Sequence, residues 1–295
     1  MATAAARLRE LLERDGIIRA PGIYDGISAR LAEEAGFEAA YVTGGGASTS
    51  VIGHPDLGLM TMTEMVTHGR QLVGAADIPL IADADTGYGN PLNVARTVRE
   101  YERAGLAGLH IEDQVFPKRC GHLPNKEVIP ADEMAAKIEA AVDARTDSDF
   151  VIIARTDSRA PLGLDEAVRR ANLYAEAGAD VLFVEAPQSA AEVKQIGTSV
   201  KAPLLINMIA KSDTPPVSLE DLDRWGFKVA IYPLVCLAAT YHAVRKALQH
   251  LMETGNDDME GANLEPKELF QLVGLDEWLD REQRYAKRAE LNETS

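Results

Sequence analysis

Three observations predict a (β/α)8 TIM-type barrel. Eight short apolar, β-branched runs recur along 295 residues, and amphipathic segments alternate with them. Three of those segments end in nearly the same way, as Glu34-Ala35-Gly36-Phe37, Arg103-Ala104-Gly105-Leu106 and Glu176-Ala177-Gly178-Ala179. Eight strand–helix units suit the barrel, for which about 250 residues is typical. The rival is an open doubly wound sheet, which brings a Gly-rich nucleotide loop after its first strand. Ala20-Pro21-Gly22-Ile23-Tyr24-Asp25 is not such a loop.

Residues 1–16 carry Leu8, Leu11 and Leu12 at helical spacing. That reads as an amphipathic first helix rather than a signal peptide, because no apolar core segment follows. Strands are read at 17–21, 39–43, 79–82, 108–111, 150–154, 181–184, 204–207 and 229–232. Continuous apolar runs of this length suit strands covered on both faces. Asp25 precedes a helical run that Gly36 closes, Asn93 opens 94–103 before Gly105, and Asp165 opens 166–176 before Gly178. A short polar side chain can cap the first free N–H groups of a helix, and glycine adopts the left-handed turn after its end. Residues 254–264 are acidic and poor in large apolar side chains, and 267–273 and 277–290 read as two further helices. A single barrel domain over 1–295 is expected, with a helical extension over 265–295 packing on a neighbouring subunit.

Hydrophobic residues make up 46% of the chain and charged ones 26%, which is ordinary for a soluble globular protein. The formal charge of -16 argues against nucleic acid, which needs a basic face, and against an anionic membrane surface. With only Cys120 and Cys236 present there is no disulfide framework, and a cytoplasmic location is expected. No apolar run approaches the roughly 20 residues of a membrane span.

The active site of such a barrel lies at the C-terminal ends of its strands. Tyr41 and Thr43-Gly44-Gly45-Gly46 fall there after the second strand, Asp83 and Asp85 after the third, and Glu112 after the fourth. Arg155, Glu185 and Asn207 follow the fifth, sixth and seventh. Asp56 lies on the second loop, and the fourth carries Lys118-Arg119-Cys120-Gly121-His122. The carboxylates are the hard oxygen ligands that Mg²⁺ prefers, although an isolated Asp-x-Asp also serves as a loop cap. The glycine run is either a turn or a backbone cradle for an anion. Arg155, after a buried run, needs a carboxylate partner. Cations beside Cys120 favour its thiolate, which leaves nucleophile, metal ligand and acid all open. No second soft pair completes a zinc site with Cys120 and His122. His110, inside an apolar strand, reads as a hydrogen-bonded core residue, and Cys236 as packing.

At these residues the chain resembles the phosphoenolpyruvate mutase/isocitrate lyase superfamily. The resemblance rests on Tyr41-Val42-Thr43-Gly44-Gly45-Gly46, Pro55-Asp56-Leu57-Gly58, Asp83-Ala84-Asp85-Thr86-Gly87-Tyr88-Gly89, His110-Ile111-Glu112-Asp113-Gln114, the Cys120 loop and Ala154-Arg155-Thr156-Asp157. It implies a carbon–carbon lyase like 2-methylisocitrate lyase or 2,3-dimethylmalate lyase. Such an enzyme cleaves a 2-hydroxy di- or tricarboxylate to an α-keto acid such as pyruvate plus a dicarboxylate. The alternatives are a phosphonomutase of the carboxyphosphonoenolpyruvate or phosphoenolpyruvate type, whose loop can be similar, and a catalytically silent barrel. The resemblance further implies Mg²⁺, or Mn²⁺ in its place, held by Asp83, Asp85 and Glu112 with Asp56 behind them. Thr43, Gly44, Gly45 and Arg155 would grip the α-carboxylate, and Tyr41 would help remove the hydroxyl proton. Cys120 would protonate the departing carbanion, supported by Lys118, Arg119 and His122, with Glu185 and Asn207 at the substrate's far side. A homotetramer, as a dimer of dimers with C-terminal helices exchanged between subunits, is also implied. One stretch departs from the family pattern. After Asn207-Met208, relatives commonly continue with Glu and two glycines before Thr-Pro. Here Ile209-Ala210-Lys211-Ser212-Asp213-Thr214-Pro215 removes a carboxylate and adds a positive charge.

Overall fold

Eight parallel strands close into a barrel in sequence order in the computed structural model, which describes residues 2–121 and 123–293. They are β1 Ile18–Ile23, β2 Ala40–Val42, β3 Leu80–Asp83, β4 Gly108–Glu112, β5 Val151–Thr156, β6 Val181–Val184, β7 Leu204–Asn207 and β8 Phe227–Tyr232. β8 pairs with β1 and completes the ring. All eight expected strands are present.

Side chains that alternate along each strand build two cores. Ile18, Ala20, Tyr41, Ile81, Ile153, Phe183, Leu205 and Ile231 fill the barrel interior. Val42, Leu80, Leu109, Ile152, Leu182, Ile206 and Ala230 face the helices outside. Burial on both faces is why these runs read as uninterrupted apolar sequence. The first helix, Ala4–Glu13, is capped by Thr3, whose side chain accepts from Ala6 N. Its Leu8 is completely buried and belongs to the interior cluster, with Leu11 and Leu12 packed beside it. A leucine so placed contributes about 1.5–3 kcal/mol relative to an exposed one, so this helix closes the barrel from below.

Asp25 caps its helix through a reciprocal bond with Ser28. Gly36, Gly105 and Gly178 follow their helices at φ 83°, 90° and 102°, where a side chain would be strained. Two expected starts are displaced. The helix assigned to Asn93 begins at Pro91 and is capped by Asn90, with Asn93 returning the bond from the third position. Proline suits the first helical position because its missing N–H would be unbonded there anyway. The helix assigned to Asp165 is Leu164–Glu176 and follows Gly163, so Asp165 lies inside its first turn, where the helix dipole favours a negative charge.

The chain divides into two compact units with the boundary between Ala238 and Ala239. The second contains most of helix Val235–Thr254, then helices Pro266–Leu272 and Leu275–Glu293. Tyr241, Leu248, Phe270, Trp278 and Tyr285 of this unit are exposed. No described helix is long and apolar enough to cross a membrane.

Candidate active site

The strands run slightly further than expected, so Asp83, Glu112 and Arg155 are the last or near-last residues of β3, β4 and β5. Register makes neighbours of them: Asp83 pairs with His110, and Glu112 with Arg155. In a parallel ring, side chains at equivalent heights converge on the axis. Asp83, His110, Glu112, Arg155, Glu185 and Asn207 are all buried.

The glycine run is the start of a short helix, Gly44–Ala47, capped by Thr43, whose hydroxyl accepts from Gly46 N at 3.3 Å. The Gly44 and Gly45 amides precede the first intrahelical bonds, so the helix's own carbonyls do not answer them. A Cβ at Gly44 would lie 2.2 Å from Asp83 Oδ2, so only glycine lets β2 end so close to that carboxylate.

Tyr41 OH lies 2.7 Å from His110 Nε2, and the two rings stack with centroids 5.7 Å apart. His110 Nε2 is also 3.6 Å from Asp83 Oδ1. Burial drives the His110 imidazole down to about 4 against the pull of Asp83, so the ring is neutral at pH 7. Burial, reinforced by Asp83, raises the Tyr41 phenol well above its ordinary range. For Asp83 burial acts upward, but His110, Lys118 and Arg155 outweigh it and hold the carboxyl down to about 2.

Lys118 is buried and bridges two carboxylates, with Nζ 2.6 Å from Asp56 Oδ1 and 2.8 Å from Asp85 Oδ1. One ammonium shared by two acids leaves a charge uncompensated. Burial accordingly lifts Asp85 to about 6, against the pull of Lys118. Arg155 is held in a two-point clamp by Asp157, at 2.8 and 3.0 Å, and its Nε lies 3.3 Å from Glu112 Oε2. Its guanidinium lies over the Phe183 ring at 5.0 Å. Asn207 Nδ2 donates to Glu185 Oε1 at 3.3 Å.

The Cys120 loop lies against this cluster. Cys120 N donates to Asp56 O at 3.2 Å. Lys126 Nζ donates to Gly121 O at 2.6 Å and to Asp157 Oδ1 at 2.9 Å. A Cβ at Gly121 would stand 2.2 Å from Glu185 Oε1 and 2.5 Å from Arg155 Nη2. A cavity of about 320 Å³ is lined by Tyr41, Thr43, Gly45, Asp56, Asp83, Cys120, Arg155, Glu185 and Asn207. Nine of the expected residues therefore share one space, and Gly44, Asp85, Glu112 and Lys118 contact its lining. Lys118 serves the carboxylates rather than standing free for the thiol. Arg119 is exposed and lines a neighbouring groove with Gln114 and Phe116. His122 lies outside the described residues.

Ligand atoms of Asp83, His110 and Glu112 lie within 4.8 Å of one another. His110 Nδ1 and Glu112 Oε2 are buried there without a hydrogen bond among the described residues. Buried polar atoms are seldom left so, and a cluster of buried acids with an orphaned carboxylate oxygen on Glu112 fits a divalent cation. Of the expected metal ligands, Asp83 and Glu112 are in this cluster, while Asp85 and Asp56 stand beside it at Lys118. His110 is the hydrogen-bonded core residue that the sequence predicts, with Tyr41 as its partner, while Asp157 and Lys126, which contact Arg155 and Gly121, have no role in the sequence reading. A positional signal existed for Asp157, which lies two residues beyond Arg155 and just past the end of β5.

A family model described as phosphoenolpyruvate phosphomutase matches residues 8–252. The chain is 43% identical over 286 residues to 2,3-dimethylmalate lyase of Eubacterium barkeri, covering 96% of this chain and 98% of that protein. It is 45% identical over 285 residues to the chloroplastic carboxyvinyl-carboxyphosphonate phosphorylmutase of Arabidopsis thaliana, covering 95% and 84%. It is 43% identical over 284 residues to 2-methylisocitrate lyase of Aeropyrum pernix, covering 96% and 91%. Among solved structures, the trigonal crystal form of 2,3-dimethylmalate lyase, titled a PEP mutase/isocitrate lyase superfamily member, superposes with a TM-score of 0.92 at 42% identity. That match covers 97% of this chain and 96% of that one.

Proposed function

Because the chain belongs to the phosphoenolpyruvate mutase/isocitrate lyase superfamily, we propose that it is a metal-dependent carbon–carbon lyase. Its substrate is a 2-hydroxy di- or tricarboxylate of the 2-methylisocitrate or 2,3-dimethylmalate kind, and its products are an α-keto acid such as pyruvate and a second carboxylate. The observation that carries this reading is the placement of Cys120 on one cavity with Tyr41, Arg155 and Asp83. A proton donor, a proton acceptor, an anion clamp and a metal-side carboxylate then face the same substrate.

Asp83 and Glu112, supported by Asp85 and Asp56, would hold Mg²⁺ or Mn²⁺, which supplies Lewis-acid stabilisation of charge on the α-keto acid half. Arg155, oriented in advance by Asp157, and the Gly44 and Gly45 amides grip the α-carboxylate. Tyr41 keeps its proton at neutral pH. Its oxygen can accept the substrate hydroxyl proton as its own passes to the neutral His110. As the carbon–carbon bond breaks, the electron pair left on the departing fragment takes the proton of Cys120. Glu185 and Asn207 border the space for that fragment. The exposed apolar side chains of residues 239–286 support a homotetramer, and light scattering should return about four times the 31.9 kDa chain mass.

The test is a panel of 2-alkylmalates, isocitrates and oxaloacetate with Mg²⁺, following α-keto acid release through a coupled dehydrogenase. At least one 2-hydroxy acid should be cleaved, and C120S should lose about 10²–10⁴-fold in turnover while keeping its fold. No release from any member removes the lyase reading, and near-normal turnover by C120S removes the thiol's role. The 45% identity to the phosphorylmutase favours phosphonate chemistry as the second reading. Phosphorus NMR on candidate phosphonates run beside the panel separates the two.

A further inference from the structure

The stretch after β7 forms part of the cavity lining: Ile209, Ala210, Lys211 and Ser212 all border it. It is a tight turn. Ser212 N donates to Ile209 O at 3.3 Å, and Ser212 Oγ donates to the same oxygen at 2.8 Å. Lys211 is the third residue of that turn and has φ +64°. A turn with a positive φ at its third residue favours glycine or asparagine, because a Cβ there crowds the backbone. The chain thus holds a long cationic side chain where glycine would be less strained, on the border of the proposed active site. Strain of this kind persists where the surroundings enforce it, often at functional positions.

Charge placement gives the second argument. Among the described residues, the cations that border the cavity are Arg155 and Lys211, against the carboxylates of Asp56, Asp83 and Glu185. Arg155 is already clamped by Asp157. Lys211 is exposed, and among the described residues no carboxylate oxygen lies within 4.0 Å of its ammonium. A cavity so rich in acids repels an additional anion unless an unpaired cation offsets them. On the β7 side, Lys211 is placed to do so.

Resting on the lyase reading, we propose that Lys211 is a specificity residue. It selects substrates whose departing half carries a second carboxylate, tricarboxylates over dicarboxylates, by pairing with that distal group. Cleavage between the carbinol carbon and its neighbour leaves such a substrate as an α-keto acid plus a dicarboxylate. A substrate lacking the distal group leaves a monocarboxylate. Succinate and propionate are therefore the matching product probes, and their binding needs no turnover.

The experiment titrates succinate and propionate by calorimetry into the Mg²⁺-loaded wild type, K211G and K211R. K211G restores the residue the turn favours, so its melting temperature should equal or exceed that of the wild type. Succinate should bind about tenfold more weakly to K211G, while propionate is unchanged and K211R keeps succinate affinity within about threefold. The succinate difference should shrink as ionic strength rises to about 0.5 M, which a merely structural role would not produce. Equal succinate affinity in wild type and K211G overturns the proposal, as does an equal loss for both ligands or no succinate binding by the wild type. Succinate discrimination with no α-keto acid release from the panel sinks the lyase reading and leaves the Lys211 pairing supported. Release with no discrimination does the reverse.

Discussion

Glu112 and Asp113 are neighbours in the chain, both completely buried at the end of β4, yet they serve opposite surroundings. Asp113 turns towards helix Leu164–Glu176. There it accepts from Thr156 Oγ1 at 2.8 Å, Asp157 N at 2.8 Å, Arg170 Nη1 at 3.0 Å and Tyr174 OH at 2.8 Å. Glu112 turns into the barrel mouth. Its Oε1 accepts from Gln114 Nε2 at 2.9 Å, and its Oε2 makes no hydrogen bond. Burial pushes both carboxyls up, and donors to Asp113 pull it back while Arg155 acts on Glu112. The contrast gives a criterion: a buried acid whose two oxygens both accept hydrogen bonds holds the fold together, and one with an oxygen that accepts none, only an ion-pair neighbour in Arg155, keeps a place for a ligand.

Substitutions at the two positions test that criterion, and the larger effect is expected at Glu112. E112Q should lower turnover by at least about 100-fold, as loss of a metal-site ligand does. Its melting temperature should stay within about 3 °C of wild type, since the amide avoids burying a charge and Arg155 keeps Asp157. Coupled-assay kinetics and a thermal melt on one preparation measure both, and wild-type turnover would break the comparison on the Glu112 side. D113N should do the opposite. Its amide would point donors at donors and weaken the neutralisation of Arg170. A cost of about 3 kcal/mol, or roughly 5–10 °C in melting temperature, follows. A D113N melt indistinguishable from wild type would show that the four bonds contribute little.

The same contrast explains how much could be read from the sequence. The strands were legible because each is buried on both faces and so writes an unbroken apolar run. The helix ends were legible because Gly36, Gly105 and Gly178 adopt a conformation other residues resist. The starts at Pro91 and Leu164 were less so. Asn90 and Asn93 are both good capping residues, and the local sequence does not say which of them sits outside the helix. Position at a strand end was enough to bring Asp83, Glu112, Arg155 and Glu185 together at the barrel mouth. Partnership was not legible. Lys118 lies near Cys120 in the chain, but its ammonium answers Asp56 and Asp85, and that choice is made by loops that only the closed barrel brings together. His110 reads as a hydrogen-bonded core histidine, but that its partner is Tyr41 depends on the β2–β3–β4 register. Asp157 and Lys126 carry no signal of their roles, because the bond that joins them, Lys126 Nζ to Asp157 Oδ1, links two loops 31 residues apart.

The near-contact of Gly44 with Asp83 bears on how this enzyme could change under selection. A side chain at 44 would need the space Asp83 Oδ2 occupies, so the two positions form one mutational unit. A saturating scan at 44 alone should return glycine and little else. Variants that tolerate alanine should arise only alongside a shortened residue at 83, after the metal-side carboxylate has been given up. That ordering makes the carboxylate the gatekeeper of any evolutionary path that remodels the end of β2.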